Sequence, residues 1–347
     1  MSTVDAPAPP RTTTVVPAVA PWWRRSAPWV LLAAGTLGGI ALQTQLYTAQ
    51  ERVVGTVFMF VALATAWNLI GGFTGYPWFG QVGFFGLGAY VTALCMYHLH
   101  LSFWLSLVLS GLVAGLFAAF VGVPLLRLKG HYFAIATLGV AEGLREVVLN
   151  LPRATGGGGG LTIPTLGPDA PTRWLGNDGF YILFLLIAAA VVAVALAVSR
   201  SRAGYALRAV NQDEEAAAAM GINTTRTKTL AFTLAATLTG VVGSAQAFRI
   251  QAIYPDPSFD TSITELAVIM VMIGGAGTVL GPILGAIAVQ YMSEWLRENY
   301  TNAHTFILGA LIIVTVVLLP QGFVNYLGDA VKTRRFSLLD NVRRYRL

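Results

Sequence analysis

Apolar runs close to the ~20 residues that cross a bilayer as a helix recur from Ala27 to Pro320. Only 11% of the 347 residues are charged and 55% are hydrophobic, whereas a soluble domain carries roughly 25% charged residues. The fold class expected is therefore an all-α polytopic membrane protein, with about ten transmembrane or partly re-entrant helices. Coarse spans fall at 27–46, 53–70, 78–98, 102–124, 131–150, 179–198, 229–249, 263–274, 279–296 and 303–319. The eighth is short enough to be re-entrant. Cys95 is the only cysteine, which excludes an internal disulfide.

Charge sets the orientation. With ten passes both termini lie on one side. Sixteen of the 22 Lys and Arg residues fall in one alternate set of segments: the N-terminal tail, the 125–130 turn, the 199–228 loop and the C-terminal tail. Basic residues favour the cytoplasmic side. That places both termini and the 199–228 loop in the cytoplasm, and the 151–178 and 250–262 loops outside. Residues 1–26 are rich in Pro, Thr and Ala and read as a disordered cytoplasmic tail. A signal peptide fits poorly, because Arg24 and Arg25 come late and no cleavage site follows a short apolar stretch. Residues 27–320 form the transmembrane domain. Residues 321–347 form a basic cytoplasmic tail that marks orientation and touches anionic lipid. The net charge of +6 gives no reason to expect a nucleic-acid partner.

Two glycine-rich stretches stand out. "GGFTGYPWFGQVGFFGLGAY" (71–90) carries seven glycines, and "GGAGTVLGPILG" (274–285) places Gly277, Gly281 and Gly285 four residues apart. Both open on Gly-Gly at an expected cytoplasmic turn between spans. Small residues at that spacing let helix backbones approach closely; Gly/Pro-interrupted segments in corresponding places also point to a translocation site. On the second reading, Gly83, Gly277 and Gly281 lie along a pathway, with Trp78, Gln81 and Tyr90 as its polar and aromatic contacts. Thr137 and Gln246 are further candidates, since each can hydrogen-bond a polar solute or a neighbouring helix.

Few charges lie within spans. Glu142 and Arg145, at i and i+3 near the outer end of the fifth, form an ion pair that snorkels outward, with Glu146 beside them. No chain of buried carboxylates or histidines runs through the spans, which argues against a proton- or sodium-driven carrier. The four histidines are scattered, and His98-x-His100 lacks further ligands, so no metal site is expected. No G-x-x-x-x-G-K-[ST] occurs, and no triad or carboxylate pair supports catalysis. This chain is expected to carry no catalytic residue and no cofactor. The external run of five glycines, 156–160, reads either as a slack connector or as a lip that meets a delivering protein.

The loop 199–228 holds "NQDEEAAAAMGIN" (211–223). Asn211 is placed to cap a helix, with Glu214 answering as in a capping box. Asp213, Glu214 and Glu215 complement the positive end of the helix dipole. The alanines propagate the helix and Gly221 ends it in the left-handed conformation. One short helix is expected over 212–220. Three carboxylates keep it out of the bilayer, and a helix this short must dock to persist.

Here a family resemblance enters. Glu215-Ala216-Ala217, three residues and Gly221 match the EAA-x3-G core of the cytoplasmic coupling loop of ATP-binding-cassette (ABC) importer permeases. The wider "SRAGYALRAVNQDEEAAAAMGINTTRTKTLAF" resembles the membrane permease of the branched-chain amino-acid importers. So do "GQVGFFGLGAY", "LRLKGHYFAIATLGVAEGLREVV", "TGGGGGLTIP" and "MIGGAGTVLGPILGA", in order, from about 53 to 323. The downstream I-x-L-P of the broader pattern is missing. The resemblance implies that Asp213, Glu214, Glu215, Ala216, Ala217 and Gly221 form the element that enters a groove on a separate ATPase. It implies two ATPase chains that bind ATP and Mg, a second and related permease chain, an extracytoplasmic solute-binding protein, and a bacterial cytoplasmic membrane. The solute implied is a branched-chain amino acid; related permeases carry urea or short amides. A self-sufficient carrier or channel is the rival class, and a membrane-embedded enzyme a third.

Overall fold

The computed structural model describes residues 22–163, 176–300, 303–318 and 322–326. Its helices, in chain order, begin with α1 (Trp22–Gln43), α2 (Thr48–Thr74), α3 (Gln81–His98), α4 (Phe103–Leu125) and α5 (His131–Leu149). After the single turn α6 (Pro152–Thr155) and strand β1 (Leu161–Thr162) come α7 (Gly176–Arg200), α8 (Arg202–Gln212), α9 (Glu214–Ala219) and α10 (Thr224–Ile250). Strand β2 (Ala252–Ile253), the turn α11 (Pro255–Ser258), α12 (Ser262–Gly274), α13 (Leu280–Asn299) and α14 (His304–Leu318) complete the order.

A helix that is apolar all round is buried on all sides. α2 is the clearest case: 83% of its spanning window is buried, against 6% for α1. It packs on α7, α10, α12 and α13. α10 in turn carries α3 and α4 on its other flank, while α1 leans on α7. Tyr181 donates from its hydroxyl to the Gly39 carbonyl at 2.8 Å, pinning that outer helix.

Glycine permits the closest of these approaches. A Cβ on Gly88 of α3 would lie 2.1 Å from the Gly240 carbonyl oxygen of α10, and one on Gly243 would lie 2.0 Å from the Phe85 oxygen. Next to this contact Thr92 donates to Ser244 at 2.6 Å. The α3–α10 pair is thus held by backbone proximity plus a hydroxyl pair, the combination expected where apolar burial alone does not drive helices together.

The connections separate into two ends. At one end, the 75–80, 126–130, 211–223 and 275–279 segments meet: Tyr76 touches Glu214, Lys129 lies near Glu215, and Gly277 lies against Gly72. At the other, β1 and β2 pair antiparallel, Leu161 opposite Ile253. The segments expected outside therefore share one end, joined by a sheet that nothing in the sequence announced. The five glycines form a compact turn rather than a slack tether; Gly156, Gly157 and Gly160 adopt φ of +75°, +55° and +68°, which favour glycine.

Three expectations change. α1 starts at Trp22, so residues 22–26 are helical rather than tail; the rest of the N-terminal tail, and residues 327–347 of the C-terminal one, lie outside the described residues. Trp78 precedes α3, because the chain 75–80 enters the core as irregular backbone. The short eighth span gains length: Pro255–Gly274 taken together is 20 residues and apolar enough to cross. Among the described residues six helices meet that length and hydropathy. α5 does not, because it carries Glu142, Arg145 and Glu146, and α14 has only 15 residues.

Packing makes a test. Gly83 lies 2.7 Å, by its notional Cβ, from the Ala141 Cα, and Gly281 2.2 Å from the Gly275 oxygen, whereas Gly158 faces open space. Gly83→Leu and Gly281→Leu should each lower the thermal midpoint in detergent, with an overpacking cost of about 1–3 kcal/mol. Gly158→Leu should leave it unchanged.

Candidate functional site

The loop between α7 and α10 folds as two helices with a one-residue break. Ser201 caps α8, accepting from the Gly204 amide at 3.3 Å. α8 lays Gly204, Leu207 and Val210 on the bundle. Asp213 then takes an extended conformation and caps α9: one carboxylate oxygen accepts from the Glu215 and Ala216 amides at 2.9 and 3.0 Å. The capping residue is therefore Asp213 and not Asn211. Asn211 lies in the last turn of α8, where its side-chain amide donates to the Gly72 carbonyl at 3.3 Å, and the helix is Glu214–Ala219 rather than 212–220. The earlier α8 takes Asn211 and Gln212 because Ser201 offers its own start signal.

The far end of α9 follows the expected form. Gly221 sits at φ +87°; its amide bonds the Ala218 carbonyl at 2.9 Å and the Ile222 amide bonds that of Ala217 at 3.1 Å. This is a Schellman pair, which satisfies the last carbonyls of a helix. Six residues are too few to hold a helix in isolation, so both caps and the inward contacts matter. Glu214 and Ala217, three apart, face the bundle; Ala217 is 3% exposed. Glu215, Ala216, Ala218 and Ala219 face outward with Met220.

Glu214 closes a ring of charged and polar groups. Lys228, in the first turns of α10, donates to a Glu214 carboxylate oxygen at 2.6 Å, to the Tyr76 hydroxyl at 2.8 Å and to the Leu126 carbonyl at 3.2 Å. Tyr76 donates to the other Glu214 oxygen at 2.6 Å. An ammonium has three protons, and here all three have acceptors. Lys228 is 2% exposed, its charge also lying 4.5 Å from the Tyr76 ring centre. Burial raises the Glu214 carboxyl, but bonds from Lys228 and Tyr76, the Lys228 charge and a Thr224 hydroxyl outweigh it, leaving its pKa below the ordinary 4.5. Burial, then the Glu214 carboxylate, hold the Tyr76 phenol well above its ordinary value of 10.0, so it stays a donor. By contrast Lys129 and Glu215 approach at 3.6 Å in the open, where an ion pair is worth little.

Lys228 and Tyr76 are the residues that sequence reasoning missed. The signal was a lysine leading an apolar run, on the opposite side from Arg226. Asn68 is another: it is fully buried, its amide donates to the Thr278 carbonyl at 2.7 Å, and its oxygen accepts from Gly277 N at 2.9 Å. The two glycine stretches are therefore in contact, clasped by one asparagine.

The intramembrane candidates divide. Gln81 opens α3 in the core, donating to the Leu63 carbonyl at 2.9 Å and to Thr239 at 3.2 Å, while its oxygen finds no acceptor role. Trp78 Nε1, the Tyr90 hydroxyl and Gln246 Oε1 are likewise buried without a partner among the described residues. Thr137 accepts from the Gly80 amide at 3.3 Å and donates to its own helix. Gly83 packs on α5, Gly281 on the 274–275 turn, and Gly277 on Gly72. The Glu142–Arg145 pair forms, at 2.5 Å, and reaches further than expected, to Asp256 at 2.7 Å, at the end that carries β1 and β2. Among the described residues no cluster of His, Cys, Asp or Glu could hold a metal.

These features define a polytopic helical membrane protein with a doubly capped helix bonded to one end of its bundle. Residues 49–316 match the family described as branched-chain amino acid transport system / permease component, and the chain belongs to that family. It is 30% identical over 299 residues to the permease LivM of Salmonella typhimurium, covering 80% of this chain and 70% of that protein. It is 27% identical over 152 residues to the fructose import permease FrcC of Rhizobium meliloti, 42% of each chain. Over 148 residues it is 26% identical to LivH of Escherichia coli, covering 42% of this chain and 46% of that one. No solved structure matches.

Two outcomes follow for α9. Asp213→Ala removes the cap, a loss of about 1 kcal/mol that should quicken amide exchange at Glu215 and Ala216 about fivefold. A depressed carboxylate pKa gives stability that is complete above the unfolded-state value and lost as pH falls through the folded one. Protection of α9, corrected for intrinsic rates, should therefore stay flat from about pH 7 to about pH 5 and fall only below the ordinary carboxylate range. Loss of protection already at pH 6 would contradict the ring.

Proposed function

We propose that this chain is the permease subunit of an ATP-driven ABC importer that moves a small polar solute, first among them branched-chain amino acids, by alternating access. The observation that carries the proposal is α9. It is capped at both ends, tied inward through Glu214 and Ala217, and turns Glu215, Ala216, Ala218, Ala219 and Met220 outward. A small-residue helix fixed in this way suits a groove on a separate ATPase, which would hold the ATP and Mg. A self-sufficient carrier has no use for it. The LivM match spans most of the chain and the FrcC match less than half, which favours an amino acid over a sugar.

In this proposal ten helices cross the cytoplasmic membrane with both termini and α9 on the cytoplasmic side, and an extracytoplasmic binding protein delivers solute to the end formed by β1 and β2. The second permease packs on α5. Gly139 and Gly143 there have nothing within 4 Å of a notional Cβ, and Glu142 is 54% exposed beside them. Carboxylates are costly against lipid, so this face suits protein or water. The unpartnered polar atoms of Trp78, Gln81, Tyr90 and Gln246 lie on or just before α3 and on α10, and are the groups a passing solute would engage.

The test is uptake by vesicles that hold this chain with its ATPase, second permease and binding protein. ATP should drive leucine uptake. Glu215→Lys and Gly221→Trp should abolish it while ATP hydrolysis continues. Full uptake by both variants contradicts the coupling role, and uptake of urea in place of leucine contradicts the substrate.

A further inference from the structure

We infer that Lys228 is the positioning residue that makes α9 and α10 move as one body, so that displacement of α9 reaches the α2–α3 core; this rests on the coupling role proposed for α9. The covalent link between the two helices is weak. Met220 to Asn223 connects them through Gly221 at φ +87°, a backbone position suited to bending. The only deeply buried side chain on α9 is Ala217. A push on α9 would be absorbed at that link unless something bridged it.

Lys228 bridges it. Its ammonium spends its three protons on Glu214 of α9, on Tyr76 between α2 and α3, and on the Leu126 carbonyl at the end of α4. The Tyr76 hydroxyl closes the ring onto the second Glu214 oxygen. Each donor faces an acceptor, and the Lys228 side chain is 3% exposed against 21% for Glu214, so the ammonium has one low-energy arrangement rather than several. Beyond the ring the route is stiff. α10 meets α3 backbone to backbone at Gly88–Gly240, and Thr239 of α10 accepts from Gln81 at the first turn of α3. A rigid-body shift of α9 would thereby carry the start of α3, where Trp78 and Gln81 keep unpartnered polar atoms.

A merely structural ion pair predicts something different. Removing one partner of a buried pair leaves an orphan charge and destabilises, whereas replacing both with apolar groups is often neutral or stabilising. The experiment measures thermal midpoint, ATP hydrolysis and leucine uptake for Lys228→Met, for Lys228→Met with Glu214→Leu, and for Gly221→Trp, in vesicles that hold the full complex. The double variant should keep a wild-type midpoint and stimulated ATP hydrolysis, while leucine moved per ATP falls about tenfold, within the span of a typical coupling energy. Lys228→Met alone should show the same loss, with or without a lowered midpoint. A folded double variant with wild-type leucine per ATP overturns the inference. If Gly221→Trp uncouples in that same series, the coupling role of α9 stands without Lys228; if Gly221→Trp also transports normally, the role itself has failed.

Discussion

A polar group that leaves water inside this bundle costs free energy unless another polar group of the protein meets it, because lipid tails and apolar side chains offer no partner. That constraint decides most of what is specific here. Asn68, fully buried, meets it by clasping the backbone at Gly277 and Thr278, and so joins two glycine hairpins across 209 and 210 residues of sequence. Gln81 meets it partly, through Leu63 and Thr239, and so ties the start of α3 to α2 and α10. Lys228 meets it completely. Apolar contacts decide that helices pack, while these few polar groups decide which segments are tied to one another.

The glycines serve the same end by another route. Where Gly88 meets Gly240 and Gly243 meets Phe85, the backbones are too close for side chains. Such contacts are rigid in register because a shift by one residue would bring a Cβ against a carbonyl. Among the described residues irregular backbone, by contrast, lies at the ends and at residues 75–80, where Trp67 donates to the Trp78 carbonyl at 2.6 Å and steadies the connector. The bundle thus combines close backbone contacts in its middle with a bonded helix at one end.

Much of the fold was legible in the sequence. Spans follow from local hydrophobicity, and each expected span has a helix within the described residues. Gly221 was readable as a helix end because only its conformational freedom suits φ +87°. Asn211 misled because a capping residue and a residue in the last turn of a helix look alike until the upstream Ser201 is weighed. Of the site, the short helix and its glycine end were legible, while Lys228, Tyr76 and Asn68 act on segments remote in sequence. Nothing local marks a lysine whose acceptor lies fourteen residues back across a turn and whose second acceptor lies on another hairpin. The β1–β2 pair escaped for the same reason, being two residues long on each side.

The central claim is that α9 and α10 form one rigid unit while the helix receives force. Spin labels at the exposed positions Ala219 and Leu230 report it directly, by pulsed-resonance distances in the reconstituted complex with and without a trapped nucleotide. A third label at Tyr254, at the opposite end and 49% exposed, gives the reference. The account predicts an Ala219–Leu230 distance that stays the same in both states while Ala219 shifts against Tyr254. A change in the Ala219–Leu230 distance on nucleotide binding, with α10 fixed against Tyr254, would contradict it.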